Sequence, residues 1–171
     1  IESLHSSFWT SLKWTFQSAA ADYRQNLTPQ QQQVVSRSLS AIAQVEIPVK
    51  TFWAKLGNTL QHPSVSDLGI VIANTEVIHG KTYEKLISVL DLNELFEQNL
   101  KSDQFGKRIA YLTKWSEKSF KDDKQQFIYS LCLFTVFSEY VSLFSQFYTL
   151  AAIIREFNVL KELEAAVSYT S

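Results

Sequence analysis

The chain contains no methionine, one cysteine, three prolines and four glycines among 171 residues. A lone Cys132 excludes an internal disulfide framework and any cysteine-rich zinc or iron–sulfur site. So few turn formers argue against a sandwich, a barrel or a disordered tail, and long helices remain. Charged residues make up 19% of the sequence, against roughly 25% in a usual soluble domain. Sixteen basic and seventeen acidic residues leave a net charge of -1, so no basic field points to nucleic acid. No signal peptide or positive-inside flank is evident, and a cytoplasmic protein away from the membrane is expected. Because the chain opens at Ile1 and lacks methionine, it is expected to be a fragment of a longer product. What it has in quantity is aromatic: twelve Phe, seven Tyr and four Trp.

Helical spacing runs through the whole text. Trp9, Leu12 and Phe16 share one face of an expected helix over residues 3–21, with Trp14 off that face. Thr28, Pro29 and Gln31 form a helix-start signal. The helix they open is expected to reach Glu46, with Pro48 ending or kinking it. Residues 64–90 read as one long helix that tolerates Gly69 and Gly80 and packs closely there. Residues 92–99 read as a short helix, and 105–120 as an amphipathic one with Ile109, Leu112, Trp115 and Phe120 facing the core. Residues 125–154 carry a single charge, Glu139. That run is long enough for a membrane span, but its scattered Ser, Thr, Gln and Tyr favour a buried central helix. Asn158 is expected to cap a last helix ending at Ser171. The expected architecture is all-α, a helical bundle with additional helices.

Three acids stand out in this apolar text. An isolated carboxylate in an apolar interior must pair, bind a metal or take up a proton, and Glu139 faces that choice. Glu76 and His79 lie three apart, so both point from one helix face, and Tyr83 follows one turn later. Glu46 is a surface residue if taken alone. Taken in order, a single Glu, a Glu-x-x-His and another single Glu match three-quarters of a di-metal carboxylate bundle. Repeating the Glu46-to-Glu76 interval from Glu139 puts the missing Glu-x-x-His at or just beyond the end of the chain. Oxygen ligands with an imidazole suit iron or manganese. Leu143 and Phe147, four and eight residues after Glu139, would form a dry wall around Tyr83. A helical interaction domain with all these acids on its surface is the bland alternative, and a di-metal oxidase or iron-binding protein is the nearer one.

The residues also carry a family resemblance. Asn74 through Tyr83 resembles the Glu-x-x-His-x-x-x-Tyr segment of the small, radical-generating subunit of class I ribonucleotide reductase. Ser6-Ser7-Phe8-Trp9, Asn26-Leu27-Thr28-Pro29 and Phe137-Ser138-Glu139-Tyr140 with Phe147 resemble other stretches of that family, in the same order. The resemblance implies one ferritin-like domain over residues 1–171, incomplete at its C-terminus. It implies two iron ions, or two manganese, or one of each, in a site left empty or poorly filled by the missing ligands. Glu46, Glu76 and His79 would bind the first ion, and Glu139 the second with bridging help from Glu76. Tyr83 would hold the radical, and Trp9 would lie on its path outward. The implied partners are a second copy of the chain, a large catalytic subunit and, with manganese, a flavodoxin-like activator. Two departures are visible: many members have Asp where Glu46 stands and Phe where Leu143 stands.

Overall fold

A computed structural model describes residues 9–60, 62–117 and 123–170, and among these there is no strand. Ser6 to Phe8 and Phe120 lie outside the described residues. After a 3-10 turn at Ser11–Lys13, eight helices follow among the described residues. They are α1 (Gln17–Gln25), α2 (Pro29–Ala43), α3 (Glu46–Thr59), α4 (Pro63–Val89), α5 (Asn93–Leu100), α6 (Asp103–Glu117), α7 (Lys124–Phe157) and α8 (Lys161–Thr170). The all-α expectation holds.

Helix α2 begins where its sequence says. The Thr28 N–H donates to Gln31 Oε1 at 2.7 Å, and the Gln31 N–H donates back to Thr28 Oγ1 at 3.4 Å. The expected continuation to Glu46 does not occur. Pro48 lacks an N–H, and its ring would clash with the Gln44 carbonyl in a continuous helix. The chain breaks at 44–45 instead, which puts Pro48 in the first turn of α3, where proline is tolerated, and makes Glu46 the first residue of that helix.

Helices α3 and α4 cross in near-backbone contact. A Cβ on Gly69 would lie 2.7 Å from the Gly57 nitrogen and 2.7 Å from the Trp53 carbonyl oxygen. Gly69 therefore serves the close packing expected of it. Gly80 does not, because a Cβ there would meet only the Glu46 Cβ, at 3.8 Å.

The N-terminal text departs from expectation. In place of a helix through Trp9 and Phe16 there is a short turn, then Phe16 in the left-handed region at φ 61°. The reason lies far away in sequence. Glu162 of α8 accepts hydrogen bonds from the Thr15 N–H at 2.9 Å, the Phe16 N–H at 2.7 Å and the Ser18 hydroxyl at 2.9 Å. It caps α1 from outside the local chain. Phe16 is buried as expected, but Leu12 is left exposed, and Trp14, off the expected face, is buried as well.

Helix α7 is not the buried central helix expected. Phe134, Leu143, Phe147, Leu150 and Ile154 are buried, and Phe134 stacks on Phe52 of α3 at 4.5 Å. The opposite side exposes Val136, Phe137, Tyr140, Val141, Phe144 and Tyr148. Among the described residues α7 is the one helix long and apolar enough to cross a membrane, and only 22% of its most apolar window is buried. Its sequence is apolar all round, while neighbours cover one side. Residues Leu133–Leu143 form a π-helical stretch within it.

Asn158 ends α7 in the left-handed conformation, φ 53°, and so closes one helix rather than opening the next. Just before α8, the Leu160 N–H donates to Asp22 Oδ2 at 2.7 Å. Tyr83, Phe16, Phe52, Leu39 and Leu86 belong to one core, where each such side chain contributes roughly 1.5–3 kcal/mol by burial.

Candidate metal centre

Three helix positions converge. Glu46 opens α3, while Glu76 and His79 share one face of α4, and one ligand atom from each lies within 4.8 Å of the others. Glu46 and Glu76 are only 5% and 8% exposed. His79 Nδ1 donates to Glu76 Oε2 at 3.0 Å. Two carboxyls at this depth disturb each other. Burial, reinforced by the Glu76 charge, pushes the Glu46 carboxyl well above its usual range. Burial also works to raise Glu76, but the hydrogen bond and charge of His79 outweigh it and bring that carboxyl down. Two carboxyls share one imidazole here, and a hard cation accepting oxygen and imidazole ligands fits such a group.

Glu139 comes from the π-helical stretch of α7 and stands outside this tight group. It lines a cleft of about 440 Å³ together with Glu76, His79, Trp53, Phe147 and Thr170. Burial and the nearby Glu76 charge push its carboxyl up to about 7, with Trp53 and His79 acting the other way. The Trp53 indole N–H comes near enough to oppose the shift without reaching good hydrogen-bond geometry. A second cleft, of about 450 Å³ between α3, α4 and α5, reaches Glu46 and Glu76 past Lys50 and Lys81.

Tyr83 is buried one turn beyond His79, with its hydroxyl 2.5 Å from Thr170 Oγ1. The Thr170 hydroxyl donates to the Val167 carbonyl at 3.1 Å, which leaves it to accept from Tyr83. Burial, then the Glu46 charge, push the phenol far above its ordinary range, so it is a neutral phenol at every working pH. Leu143 and Phe147 are buried in the same core. Trp9 is half-buried, and its ring stacks on His79 at 5.9 Å. Trp14 and Tyr169 flank Trp9 edge-on at 4.8 and 6.0 Å.

Trp53 and Thr170 were not foreseen as neighbours of the site. Trp53 sits seven residues after Glu46, two turns along the same face, so helical spacing alone would have found it once α3 was placed correctly. Thr170 carries no such local signal, since only the return of α8 brings it to Tyr83.

The family model described as ribonucleotide reductase, small chain, matches residues 1–171. A comparison with curated proteins gives no match. Among solved structures, a Bacillus halodurans protein assigned as a class I ribonucleotide reductase superimposes with a TM-score of 0.87 at 18% identity. The match covers 98% of this chain and 61% of that one, so the chain spans about three fifths of its structural relative.

Proposed function

This chain belongs to the ribonucleotide reductase small-chain family, and from that premise we propose that it is the radical-generating part of a class I ribonucleoside-diphosphate reductase. One observation carries the reading: two buried carboxylates and an imidazole converge one helical turn from a buried tyrosine. Glu46, Glu76 and His79 would hold one ion, and Glu139, with help from Glu76, would hold a second. Two iron ions are the first choice, with two manganese ions or a mixed pair as alternatives. When bound, such a pair supplies dioxygen activation and a one-electron oxidising equivalent.

The chain's own residues do the rest. Tyr83 enters oxidation as the neutral phenol, so it must give up its electron and its proton together. Its proton faces Thr170 Oγ1, inside a core that includes Leu143 and Phe147. These apolar walls exclude water and reductants that would quench a phenoxyl radical. Trp9, stacked on His79, offers the way outward. The nucleotide is then reduced on a large catalytic subunit, which this chain pairs with as a homodimer in the cytoplasm. Residues 1–171 belong to one ferritin-like domain of the small, radical-generating subunit. If manganese is the native metal, a flavodoxin-like activator completes the system.

Reconstitution of the full-length protein with ferrous or manganous ion in air, followed by metal counting and electron paramagnetic resonance, tests this. A tyrosyl signal that disappears in Tyr83→Phe is expected. Metal uptake with no radical under any metal would favour a different di-metal oxidase, and no uptake at all would overturn both.

A further inference from the structure

We infer that Arg108 of α6 is a positioning residue that sets the separation between the segments carrying Glu46 and Glu139. The inference rests on the di-metal reading above. Arg108 is half-buried, and burial pushes its pKa down. Among the described residues no carboxylate pairs with it. A guanidinium stays charged wherever it is placed, so a partly desolvated one without an acid needs another use.

Its two hydrogen bonds show that use. Nη1 donates to the Ala41 carbonyl at 3.1 Å, and Nη2 donates to Ser142 Oγ at 2.6 Å. Ala41 lies five residues before Glu46, at the break between α2 and α3. In an unbroken helix the Val45 N–H would bond to Ala41, but here it bonds to Ile42 at 3.0 Å. The break that makes Glu46 the first residue of α3 therefore frees the carbonyl that Arg108 takes. This is also the negative end of the α2 dipole, where a cation is favoured.

Ser142 lies three residues after Glu139, inside the π-helical stretch. A π stretch is a rare and marginal local geometry, often found at functional sites, and it needs support from outside the helix. Arg108 supplies such support from α6. One rigid, planar fork thus ties the chain just before Glu46 to the chain just after Glu139. A lysine, with a single compact ammonium on a flexible stem, could not hold both in fixed directions. Groups bonded directly to metal ligands typically affect metal affinity by about 10–100-fold, and Arg108, bonded to residues that flank the ligands, should act at the low end of that range.

Ser142→Ala, Arg108→Met and Arg108→Lys in the full-length protein test the inference with two readouts. The first is hydrogen exchange of the amides of residues 133–143, which needs no metal. The second is cobalt(II) titration followed by its visible spectrum, which reports ligand geometry ion by ion. Ser142→Ala removes one acceptor and should fold normally. It is expected to speed exchange in 133–143 by about tenfold, leave α4 unchanged, and weaken the second cobalt by about tenfold while sparing the first. Arg108→Met should do more, and Arg108→Lys should restore only part. Unchanged exchange in both Ser142→Ala and Arg108→Met would overturn the clamp. Faster exchange with identical cobalt affinities and spectra would overturn its role in placing Glu139. Faster exchange in a protein whose wild type takes up no cobalt would instead overturn the di-metal reading while leaving the clamp in place.

Discussion

The Tyr83 hydroxyl donates to Thr170 Oγ1 across 2.5 Å, joining the C-terminal third of α4 to the last turn of α8. The direction of that bond has a consequence for stability. Tyr83→Phe removes the donor but leaves Thr170 bonded to Val167, and should cost about 1 kcal/mol. Thr170→Val strands a buried phenol and should cost more, about 1–3 kcal/mol. Urea unfolding of the two variants gives the order directly. A larger loss in Tyr83→Phe would reverse the donor assignment.

The Glu139 carboxyl sits at about 7 in the folded protein, against an ordinary 4.5. The folded state thus holds this proton more tightly than the unfolded chain. In the presence of a chelator, stability should fall as pH rises from about 4.5 through 7, by at most about 3 kcal/mol from this group. The upward shift of Glu46 acts with the same sign. Glu139→Gln should flatten that decline and melt higher than wild type at pH 8. Equal slopes in the two proteins would contradict the assignment.

Two glycines of α4 should respond in opposite directions. Gly69→Ala forces a methyl into the α3 backbone and should destabilise by about 1–3 kcal/mol. Gly80→Ala meets only ordinary contact and should stabilise by up to about 1 kcal/mol through helix propensity. Thermal melting with chelator separates these effects from metal binding.

Glu162→Ala removes the carboxylate that caps α1. A loss of about 1–2 kcal/mol is expected, in line with other helix caps. Those hydrogen bonds outweigh burial and hold the Glu162 carboxyl below its usual range. Its contribution is therefore present above the ordinary carboxylate range and lost as pH falls through its lowered folded value. Loosening this anchor should expose Trp14, read as a red shift in tryptophan fluorescence.

Some features were legible because their physics is local. Thr28 and Gln31 close a capping box within four residues. Glu76, His79 and Tyr83 share a stripe because helix geometry alone puts them there. Gly69 hinted at a close crossing, although its partner Gly57 did not. Other features were misread because their causes are remote. Glu162 redirects Thr15 and Phe16 from more than a hundred residues away. The exposure of Tyr140 and Phe144 depends on which side of α7 receives neighbours, and an apolar run cannot say which.

By itself the sequence determined the all-α class, the ordered set of acids and the short-range geometry of Glu76, His79 and Tyr83. Each of these follows from the backbone period and from steric rules acting over a few residues. Only the tertiary structure decided that Glu46 comes to lie beside Glu76, that Glu139 sits apart on a π-helical stretch, and that Thr170 meets Tyr83. Those relations depend on how separate helices pack, where the Gly57–Gly69 crossing, the Glu162 cap and the Arg108 fork act between segments that no local rule connects.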